Sequence, residues 1–428
     1  MADIKNVLVF PAGTEIAFEI NDALRYSKFV RLFGATSVPC HADFVFERCI
    51  EGLPFVDDPA LIDALNAVIE EYNIDYIYPA HDSALLSLTL ARDRLKAPVV
   101  TSPVETVEIC RSKNRTYSFL EGADYLPAFY SSADEIPAFP VFVKPSVGQG
   151  SQGARKIEDR AHLDEVLAEG VEYTICEYLP GKEYTVDCFT DRHGVLKFIN
   201  PRSRERIRAG IAVRSRNIPL TGEISAIAED LNSRLSFNGA WFFQIKENAV
   251  GEFRLMEVAP RIAGTMGLSR NLGVNMPLLT LFNMWGYEVD VFSNGSKLLL
   301  DRAFISRFSS DISYSNVYVD FDDTLIIGDR VNSYLIMFLY QAKGNGKHIY
   351  LLTRHSTDIY TDLEKYHISA GLFDDIYHIS KEGSKAELIK PDSIFIDDSF
   401  AERKRVKDGC GIPVFDPDMV ESLIDWRA

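Results

Sequence analysis

The sequence has no long hydrophobic run and little positive charge, and each shortage excludes a class of protein. No stretch approaches the roughly 18 apolar residues that a transmembrane helix needs. The first apolar run, residues 7–10, is too short for the core of a secretion signal. The chain has 45 lysines and arginines against 62 aspartates and glutamates, a net charge of −17. This charge argues against binding nucleic acid or an anionic membrane through phosphate contacts.

Cysteine is also scarce. The six cysteines are scattered through 428 residues, and no two have the C-x-x-C spacing of a zinc or dithiol redox site. Internal repeats and low-complexity segments are lacking as well. We therefore expect reduced, structural thiols in a cytoplasmic protein of two to four globular domains.

The first hundred residues alternate strand-like and helix-like patterns. Residues 7–10 are apolar on both faces, as in a buried parallel strand, and apolar residues then recur at helical spacing over 15–33. These patterns predict an open α/β domain at residues 1–102. Its further predicted elements are helices at 59–72 and 83–95 and strands at 76–78 and 99–100.

Two loops of this domain follow the carboxyl ends of strands, where ligands bind in open α/β sheets. They are residues 11–15 and 79–83, and the second contains His81 and Asp82. Two interpretations of Asp82 stay open at this point, because the carboxylate is suited either to cap the next helix or to contact a substrate.

The pattern changes twice more along the chain. Aromatic and β-branched strands alternate with glycine-rich turns from residue 103 on, which predicts an α+β domain with antiparallel sheet at 103–308. The polar residues 309–316 are typical of a linker. Alternating strands and helices resume at 317–428 and predict a third domain.

The middle domain has a strand that ends in Lys144 and leads into a loop with Gly148, Gly150 and Gly153. Glycines let backbone N–H groups approach phosphate oxygens closely, and the lysine adds a positive charge. A Walker A loop is excluded because its lysine follows the glycines. A mobile surface hairpin would have the same composition.

Two apolar strands further on each present one oxygen ligand, at Gln244 and at Glu257. A turn at residues 248–251 separates them, so both side chains are suited to hold Mg²⁺ from one side. Arg261 follows, where a transferring phosphoryl group needs a cation.

The order of these features resembles the ATP-grasp superfamily, in particular its carbamoyl-phosphate-synthase-like and carboxylate–amine ligase branch. The motif Glu177-x-Leu179-x-Gly181-x-Glu183 completes the pattern, which covers residues 1 to about 300. The resemblance implies that Gln244 and Glu257 bind Mg²⁺ (or Mn²⁺) and that Arg261 stabilises an acyl phosphate. It also implies ATP contacts: Lys113 and Lys144 on the phosphates; Gly148, Gly150, Ser151 and Gly153 in a lid loop; Glu177 and Leu179 at the adenine; Glu183 at the ribose.

One position departs from the family pattern. Ala259 stands where the family usually has a metal-binding asparagine, so either the metal is held more weakly or another group substitutes. Arg204, Arg206 and Arg208 form a basic run. This run fits either a solvated strand edge or a site for a substrate carboxylate or phosphate.

By this resemblance the chain is an ATP-dependent ligase. A carboxylate would attack the γ-phosphate of ATP, and an amine would then displace phosphate from the acyl phosphate, giving an amide and ADP. The expected partners are a small carboxylate and a small amine, and the family leads us to expect a homodimer.

The last domain has carboxylates at strand ends. Asp320 and Asp322 are two apart on a strand and share a face. With a metal, Asp320 could attack phosphorus while Asp322 handles the leaving group's proton. Thr353, Lys385 and the pair Asp397–Asp398 follow in order. Each alone fits a helix cap or a surface lysine.

Together these residues resemble the haloacid dehalogenase-like phosphatases, which have a small Rossmann-like fold. The resemblance implies Asp320 as nucleophile, Asp322 as acid/base, Thr353 and Lys385 on the phosphate, and Asp320, Asp322 and Asp397 (or Asp398) at Mg²⁺. Only about seven residues separate Leu325 from the next predicted helix, at 331–343, so no large cap is encoded there.

Three hypotheses follow. In the leading one, the second domain removes a phosphate from the ligase's substrate or product. In another, the phosphatase-like domain only regulates or scaffolds the ligase. In the third, Ala259 marks a degenerate nucleotide-binding module attached to a phosphatase.

Overall fold

The structure is a computed structural model that describes residues 4–380 and 383–427. The chain divides into two compact units between Ala303 and Phe304. Within the described residues, every helix is too short or too polar to cross a lipid bilayer.

The first unit begins with a four-stranded parallel sheet of order β3-β2-β1-β4. Residues 7–10 of the central strand β1 are fully buried, since helices cover both faces. The elements are β1 (Lys5–Phe10), α1 (Glu15–Leu24), β2 (Val30–Ala35), β3 (Cys49–Ile50), α2 (Leu61–Tyr72), β4 (Tyr76–Pro79) and α3 (Asp82–Leu90). Val99 extends the sheet beside Ile77 through an isolated bridge.

The predicted helix over residues 15–33 is wrong in its second half. Helix α1 ends at Leu24, and residues 30–35 form strand β2 instead. Val30, Phe33 and Ala35 are buried in that strand, which pairs in parallel with β1. Pairing with a buried strand outweighs the helical spacing of a few apolar residues. The helix predicted at 83–95 also ends early, at Leu90.

Two antiparallel sheets follow in the same unit. The smaller has the order β5-β8-β6-β7. Its elements, with the helices before and within it, are α4 (Val104–Arg111), α5 (Lys113–Phe119), β5 (Phe129–Tyr130), β6 (Val141–Pro145), β7 (Arg155–Ile157), α6 (Arg160–Leu167) and β8 (Tyr173–Glu177).

The larger antiparallel sheet has the order β10-β9-β13-β14. A three-stranded sheet, β11-β12-β15, takes two strands from between β10 and β13 and its third from the residues after β14. One face of the larger sheet packs on α7 through Trp241, Phe243 and other buried side chains. The elements are β9 (Glu183–Thr190), β10 (Leu196–Ser203), β11 (Arg206–Arg208), β12 (Ile211–Arg216), α7 (Gly222–Arg234), β13 (Gly239–Glu247), β14 (Phe253–Ala259), α8 (Gly267–Asn271), α9 (Met276–Met284) and β15 (Leu299–Asp301).

The second unit is a five-stranded parallel sheet of order β20-β19-β16-β21-β22 with a separate small hairpin, β17–β18. Strand β16 is central and buried throughout. The elements are β16 (Asn316–Val319), β17 (Ile326–Ile327), β18 (Arg330–Val331), α10 (Ser333–Gly344), β19 (His348–Thr353), α11 (Ile359–Lys365), β20 (Asp375–His378), β21 (Ser393–Ile396), α12 (Phe400–Cys410) and β22 (Val414–Phe415).

Candidate functional site

A polar cleft lies in the first unit where α3, α4, α5 and the end of β14 meet. Its space is about 650 Å³, counting the part open to solvent, which suits a small molecule because such sites are typically about 300–1,000 Å³. Both carboxylates and cations line it: Asp82, Arg111, Lys113, Glu257 and Arg261, with Gly148, Gln149 and Gly150 at one side.

The two predicted metal-binding residues face each other in this region. Gln244 on β13 is directly opposite Glu257 on β14, which places their Cβ atoms about 5 Å apart on one face. A β-bulge follows, because Ile245 pairs with Leu255 and leaves Met256 unpaired. Two oxygen ligands with room for phosphate oxygens and water are a donor set that fits Mg²⁺.

Lys144 on β6 is buried and contacts the bulge in β14. Its ammonium donates to the Tyr117 hydroxyl and to the carbonyl of the bulged Met256, both at 2.9 Å. Burial acts to lower the pKa of Lys144, but Tyr117, Cys176 and Glu257 together raise it above its ordinary value. Lys144 therefore stays charged, and Tyr117 is a partner that the sequence gave no signal for.

Lys113 begins helix α5 and lines the same cleft. Burial lowers the pKa of Lys113; Glu257 opposes that shift, while Lys144 and Arg111 add to it. Arg111, which the sequence analysis did not single out, donates to the Gly148 carbonyl at 3.3 Å and to the Ser83 hydroxyl at 3.2 Å. Several cations thus converge near Glu257, as a polyphosphate requires.

Arg261 is held by Asp82, and both residues line the cleft. Two hydrogen bonds join them, Nε to Oδ1 at 2.6 Å and Nη2 to Oδ2 at 2.7 Å. Burial acts to raise the pKa of Asp82, but the Arg261 charge and hydrogen bond lower it overall. The helix cap is instead His81, whose Nδ1 accepts from the Ser83 N–H at 3.3 Å.

The glycine loop, residues 148–153, packs against the turn between β11 and β12. A Cβ atom on Gly210 would lie 2.1 Å from the carbonyl carbon of Gly150, and both glycines have positive φ. At the loop's other side Gln149 contacts the His81 ring at 2.7 Å. Ser151, also with positive φ, and Gly153 complete the loop. The predicted lid residues therefore touch two neighbouring loops over the cleft.

A second, mostly apolar slot adjoins Lys144. Tyr117, Phe142, Leu179, Leu255 and Met256 are among the residues that line it. Glu177 and Leu179, predicted to face adenine, both lie there, and Glu177 accepts from the Ala128 N–H at 3.0 Å. The shape and chemistry of this slot suit a flat, apolar ring.

The structure separates Arg204 from Arg206 and Arg208, the other two arginines of the predicted basic run. Arg204 is buried and forms an ion pair at 2.6 Å with Glu183, the residue predicted to contact ribose. Arg206 and Arg208 lie on the exposed strand β11, where Arg206 pairs with Asp301 at 2.7 Å. Only Arg204 is therefore brought to the sheet face that bears Gln244 and Glu257.

The second unit brings its predicted catalytic residues together. Lys385 donates to Asp320 at 2.8 Å and to Asp397 at 2.6 Å, and the lysine side chain is 3% exposed. Oxygens of Asp320, Asp397 and Asp398 lie within 4.8 Å of one another, which could hold a metal ion. Thr353 is buried beside Asp320.

Burial raises the pKa values of Asp320 and Asp397, and repulsion from Asp320 adds to the shift at Asp397. Burial raises the pKa of Asp320, against the effect of Lys385. Burial also raises the pKa of Asp397 to about 6; Lys385 opposes this shift and the Asp320 charge adds to it. A cation placed among these groups would relieve the repulsion.

Asp322, predicted as acid/base and metal ligand, lies outside the carboxylate cluster and contacts His355. The His355 Nδ1 is 2.9 Å from Asp322, and its Nε2 is 2.7 Å from Asp362. The Phe321 ring packs edge-on against His355 at 5.0 Å. The sequence analysis missed His355, although its position two residues after Thr353 at a strand end was a usable signal.

Comparison with known proteins agrees with this geometry. The family model described as "ATP-grasp in the biosynthetic pathway with Ter operon" matches residues 170–298. No curated protein sequence matches the chain.

Solved structures resemble the chain over about two thirds of its length. The biotin carboxylase domain of Hydrogenobacter thermophilus 2-oxoglutarate carboxylase, in complex with MgADP and bicarbonate, is 17% identical, with 69% of this chain and 72% of that chain covered and a TM-score of 0.57. L-amino acid ligase from Bacillus licheniformis is 22% identical, with 66% and 74% covered and a TM-score of 0.53. N5-carboxyaminoimidazole synthetase from Staphylococcus aureus, in complex with ADP, is 16% identical, with 68% and 79% covered and a TM-score of 0.56.

These likenesses show the fold. The chain contains an ATP-grasp domain, and the predicted ATP-grasp fold is confirmed for the first unit. The haloacid dehalogenase-like character of the second unit stays a prediction that its parallel sheet and clustered carboxylates support.

Proposed function

We propose that the first unit is an ATP- and Mg²⁺-dependent ligase that joins a small carboxylate to a small amine through an acyl phosphate. The observation that supports this most is the direct pairing of Gln244 with Glu257, since Glu257 lines a cleft that also contains Lys113 and Arg261. The solved relatives support the cofactors, since two were determined with ADP and one of these with MgADP.

The polar residues of this site each have a role in the proposed reaction. Lys113 and Arg111 bring positive charge toward the phosphates, and buried Lys144 holds the bulged Met256 in place while adding its own charge. Mg²⁺, held by Gln244 and Glu257, would neutralise charge on the transferring phosphoryl group. The loop at 148–153 excludes water, which would otherwise hydrolyse the acyl phosphate.

The relatives differ in the nucleophile they use, and one of them favours an amine. The Bacillus licheniformis structure is that of an L-amino acid ligase and has the highest identity of the three compared. Arg261 is suited to bind the carboxylate that reacts, because it lines the cleft together with Glu257.

We propose a phosphomonoesterase activity for the second unit, dependent on Mg²⁺. The supporting observation is the buried arrangement of Asp320 and Asp397 around Lys385. Asp320 would attack phosphorus, Lys385 and Thr353 would hold the phosphate oxygens, and Asp322 would protonate the leaving group. A phosphorylated substrate or product of the ligase would be its natural target.

The ligase is tested by ADP release from MgATP with a library of acids and amines. Wild type should release ADP only with one acid and one amine, and Glu257→Ala should lower the rate at least about 100-fold. Glu252→Ala is the matched control, since Glu252 is exposed on the hairpin turn and pairs with Arg254. Equal activity in wild type and Glu257→Ala would refute the proposal.

The phosphatase is tested separately with Asp320→Asn. Amide formation should continue, while phosphate release from a phosphorylated acid or amide should stop. If wild type releases no phosphate from any ester, the second unit regulates or scaffolds the ligase instead. If phosphate release persists without ADP release, the first unit is a degenerate nucleotide-binding module.

A further inference from the structure

Four residues form a straight row across the sheet face that bears the predicted metal ligands. Arg202 on β10 is directly opposite Thr185 on β9, Thr185 is opposite Gln244 on β13, and Gln244 is opposite Glu257 on β14. Directly paired residues of antiparallel strands share a face. Arg202 and Thr185 therefore lie on the same side of the sheet as Gln244 and Glu257, about 5 to 10 Å further along the row from Gln244.

Arg202 and Thr185, the two members of the row furthest from Glu257, each have a buried polar atom with no partner among the described residues. Arg202 and Thr185 are each 1% exposed. The Arg202 Nη1 and the Thr185 Oγ1 make no hydrogen bond to any residue that the structure describes. Buried polar groups are nearly always satisfied, because leaving one unpaired costs about 1–3 kcal/mol. Two neighbouring exceptions on one face indicate a ligand that bonds to both.

The rest of the Arg202 side chain is fixed. Its Nε and Nη2 bind the buried carboxylate of Asp187, at 3.1 and 3.0 Å. Ser269 at helix α8 donates to the same carboxylate at 2.9 Å, and Asn200 donates to Ser269 at 2.9 Å. This network holds the guanidinium in one orientation and leaves Nη1 as its free donor.

A further cation, Arg302, follows strand β15, which pairs with β12, and Asn217 just after β12 bridges to Arg202. Burial lowers the pKa of Arg302, and the positive charge of Arg202 lowers it further, while Glu15 and Glu19 oppose the shift. In the described part of the chain, the Arg302 guanidinium has no hydrogen bond to either carboxylate. Arg204 is also near Arg202, but Glu183 neutralises it.

The balance of charge around the row favours an anion. Asp187 compensates Arg202, Glu183 compensates Arg204, and Arg270 binds Glu19 at 2.8 Å. Arg302 is left as the cation with the weakest compensation, since Glu15 is exposed to solvent. Donor groups with spare capacity and a residual positive charge are the chemistry that recognises a carboxylate or a phosphate.

We propose that Arg202, Thr185 and Arg302 form a subsite for a second anionic group on the acid substrate, distinct from the carboxylate that reacts. The proposal rests on the ligase function proposed above and specifies its substrate class: a compact acid that carries a further carboxylate or phosphate. The reacting carboxylate lies at the Glu257 end of the row, and the second anion lies at the Arg202 end.

The test uses three pairs of acids that differ in one anionic group: glutamate and glutamine, succinate and succinamate, and 3-phosphoglycerate and glycerate. Binding to the full chain is measured by calorimetry with Mg²⁺ and a non-hydrolysable ATP analogue. In at least one pair, the acid with the second anionic group should bind about 10- to 100-fold more tightly than the acid that lacks it, as expected for hydrogen bonds to a charged group. The pair that discriminates shows whether a carboxylate or a phosphate is recognised.

Two variants test the residues without leaving Asp187 unpaired. Thr185→Val keeps the side-chain shape, and Arg302→Gln removes a charge with no direct partner; each should reduce the discrimination about 10-fold. Arg216→Gln is the matched control and should keep the discrimination. Arg216 is an exposed arginine on the neighbouring strand β12, and it pairs with Glu205. Arg202→Met should remove the discrimination, but it also leaves Asp187 unpaired. Its binding result is therefore used only if its unfolding curve matches that of wild type.

The outcomes separate the two proposals. If the ATP analogue binds but no pair discriminates, or if the variants keep the discrimination, the subsite is overturned and the unpaired atoms hold only an ordered water. If the ATP analogue itself does not bind, the ligase function fails first, and the subsite falls with it.

Discussion

The guanidinium of Arg261 and the carboxylate of Asp82 form a bidentate ion pair between residues 179 positions apart. The pair joins the end of β14 to the first turn of α3. Both side chains are largely buried, at 13% and 19% exposed, so the pair fixes the cleft's walls to each other.

Removing both members of this pair should cost less than the two single removals added together. Asp82→Asn or Arg261→Gln leaves a largely buried charge unpaired and should lower the free energy of unfolding by about 1–3 kcal/mol. The double variant should lose less than the sum, by about 1 kcal/mol or more. Urea unfolding of the full chain measures this coupling; strictly additive losses would show that the contact contributes nothing.

Adding the missing oxygen ligand should strengthen the binding of Mg²⁺. Ala259 is two residues after Glu257 on β14, so both share a face. Ala259→Asn should lower the Mg²⁺ concentration for half-maximal ADP release about 10-fold, because an amide oxygen joins the site. Ala259→Leu has a similar size without the ligand and serves as the control. An equal effect of both variants would assign the change to packing.

Preventing the glycine loop from packing against the β11–β12 turn should uncouple ATP hydrolysis from amide formation in the proposed ligase. In Gly210→Ala the new Cβ would overlap the Gly150 backbone, so the loop cannot close and water reaches the acyl phosphate. ADP formed per amide should rise well above one. Gly251→Ala is the control, since Gly251 also has positive φ but a Cβ there meets nothing within 4 Å. Matching ratios in both would contradict the lid contact.

His355 should matter for the proposed phosphatase activity through its contact with Asp322. His355→Phe keeps the ring packed on Phe321 but removes both nitrogens that contact Asp322 and Asp362. The kcat for phosphate release should fall about 10- to 100-fold with little change in KM, because the acid is misplaced while phosphate binding persists. His348→Phe, an exposed histidine, is the control. A rise in KM alone would place His355 in binding instead.

Asp374 should make the second unit sensitive to acid. Burial acts to raise its pKa, but hydrogen bonds from Lys343 and the Ile349 N–H lower it to about 2, from an ordinary value of 3.8. A lowered pKa stabilises the fold above pH 3.8, and this stability disappears as the pH falls toward 2.

The size of this effect is limited by solvent, since the Asp374 side chain is 30% exposed. We expect about 1 kcal/mol after allowing for screening. Urea unfolding followed between pH 5 and 2 should show wild type losing this amount relative to Asp374→Asn. Parallel curves for the two proteins would contradict the assignment.

The sequence by itself determined the features that local chemistry specifies. The strands predicted at 7–10 and 76–78 both form, as β1 and β4, because their apolar residues satisfy both pairing and burial. The order of Lys144, the glycine loop, Gln244 and Glu257 was sufficient to indicate an ATP-grasp domain. Such motifs are short, so their residue types and their order can be read from the sequence without the fold.

Only the tertiary structure decided which distant groups pair. It placed Asp82 on Arg261, Tyr117 on Lys144 and His355 on Asp322. It also turned residues 30–35 into a strand, because a buried neighbour offered parallel pairing. The row from Arg202 to Glu257 depends on the register of four strands, and a shift of one residue would move every side chain to the other face. No local pattern encodes that register, since it is set by packing across the whole sheet.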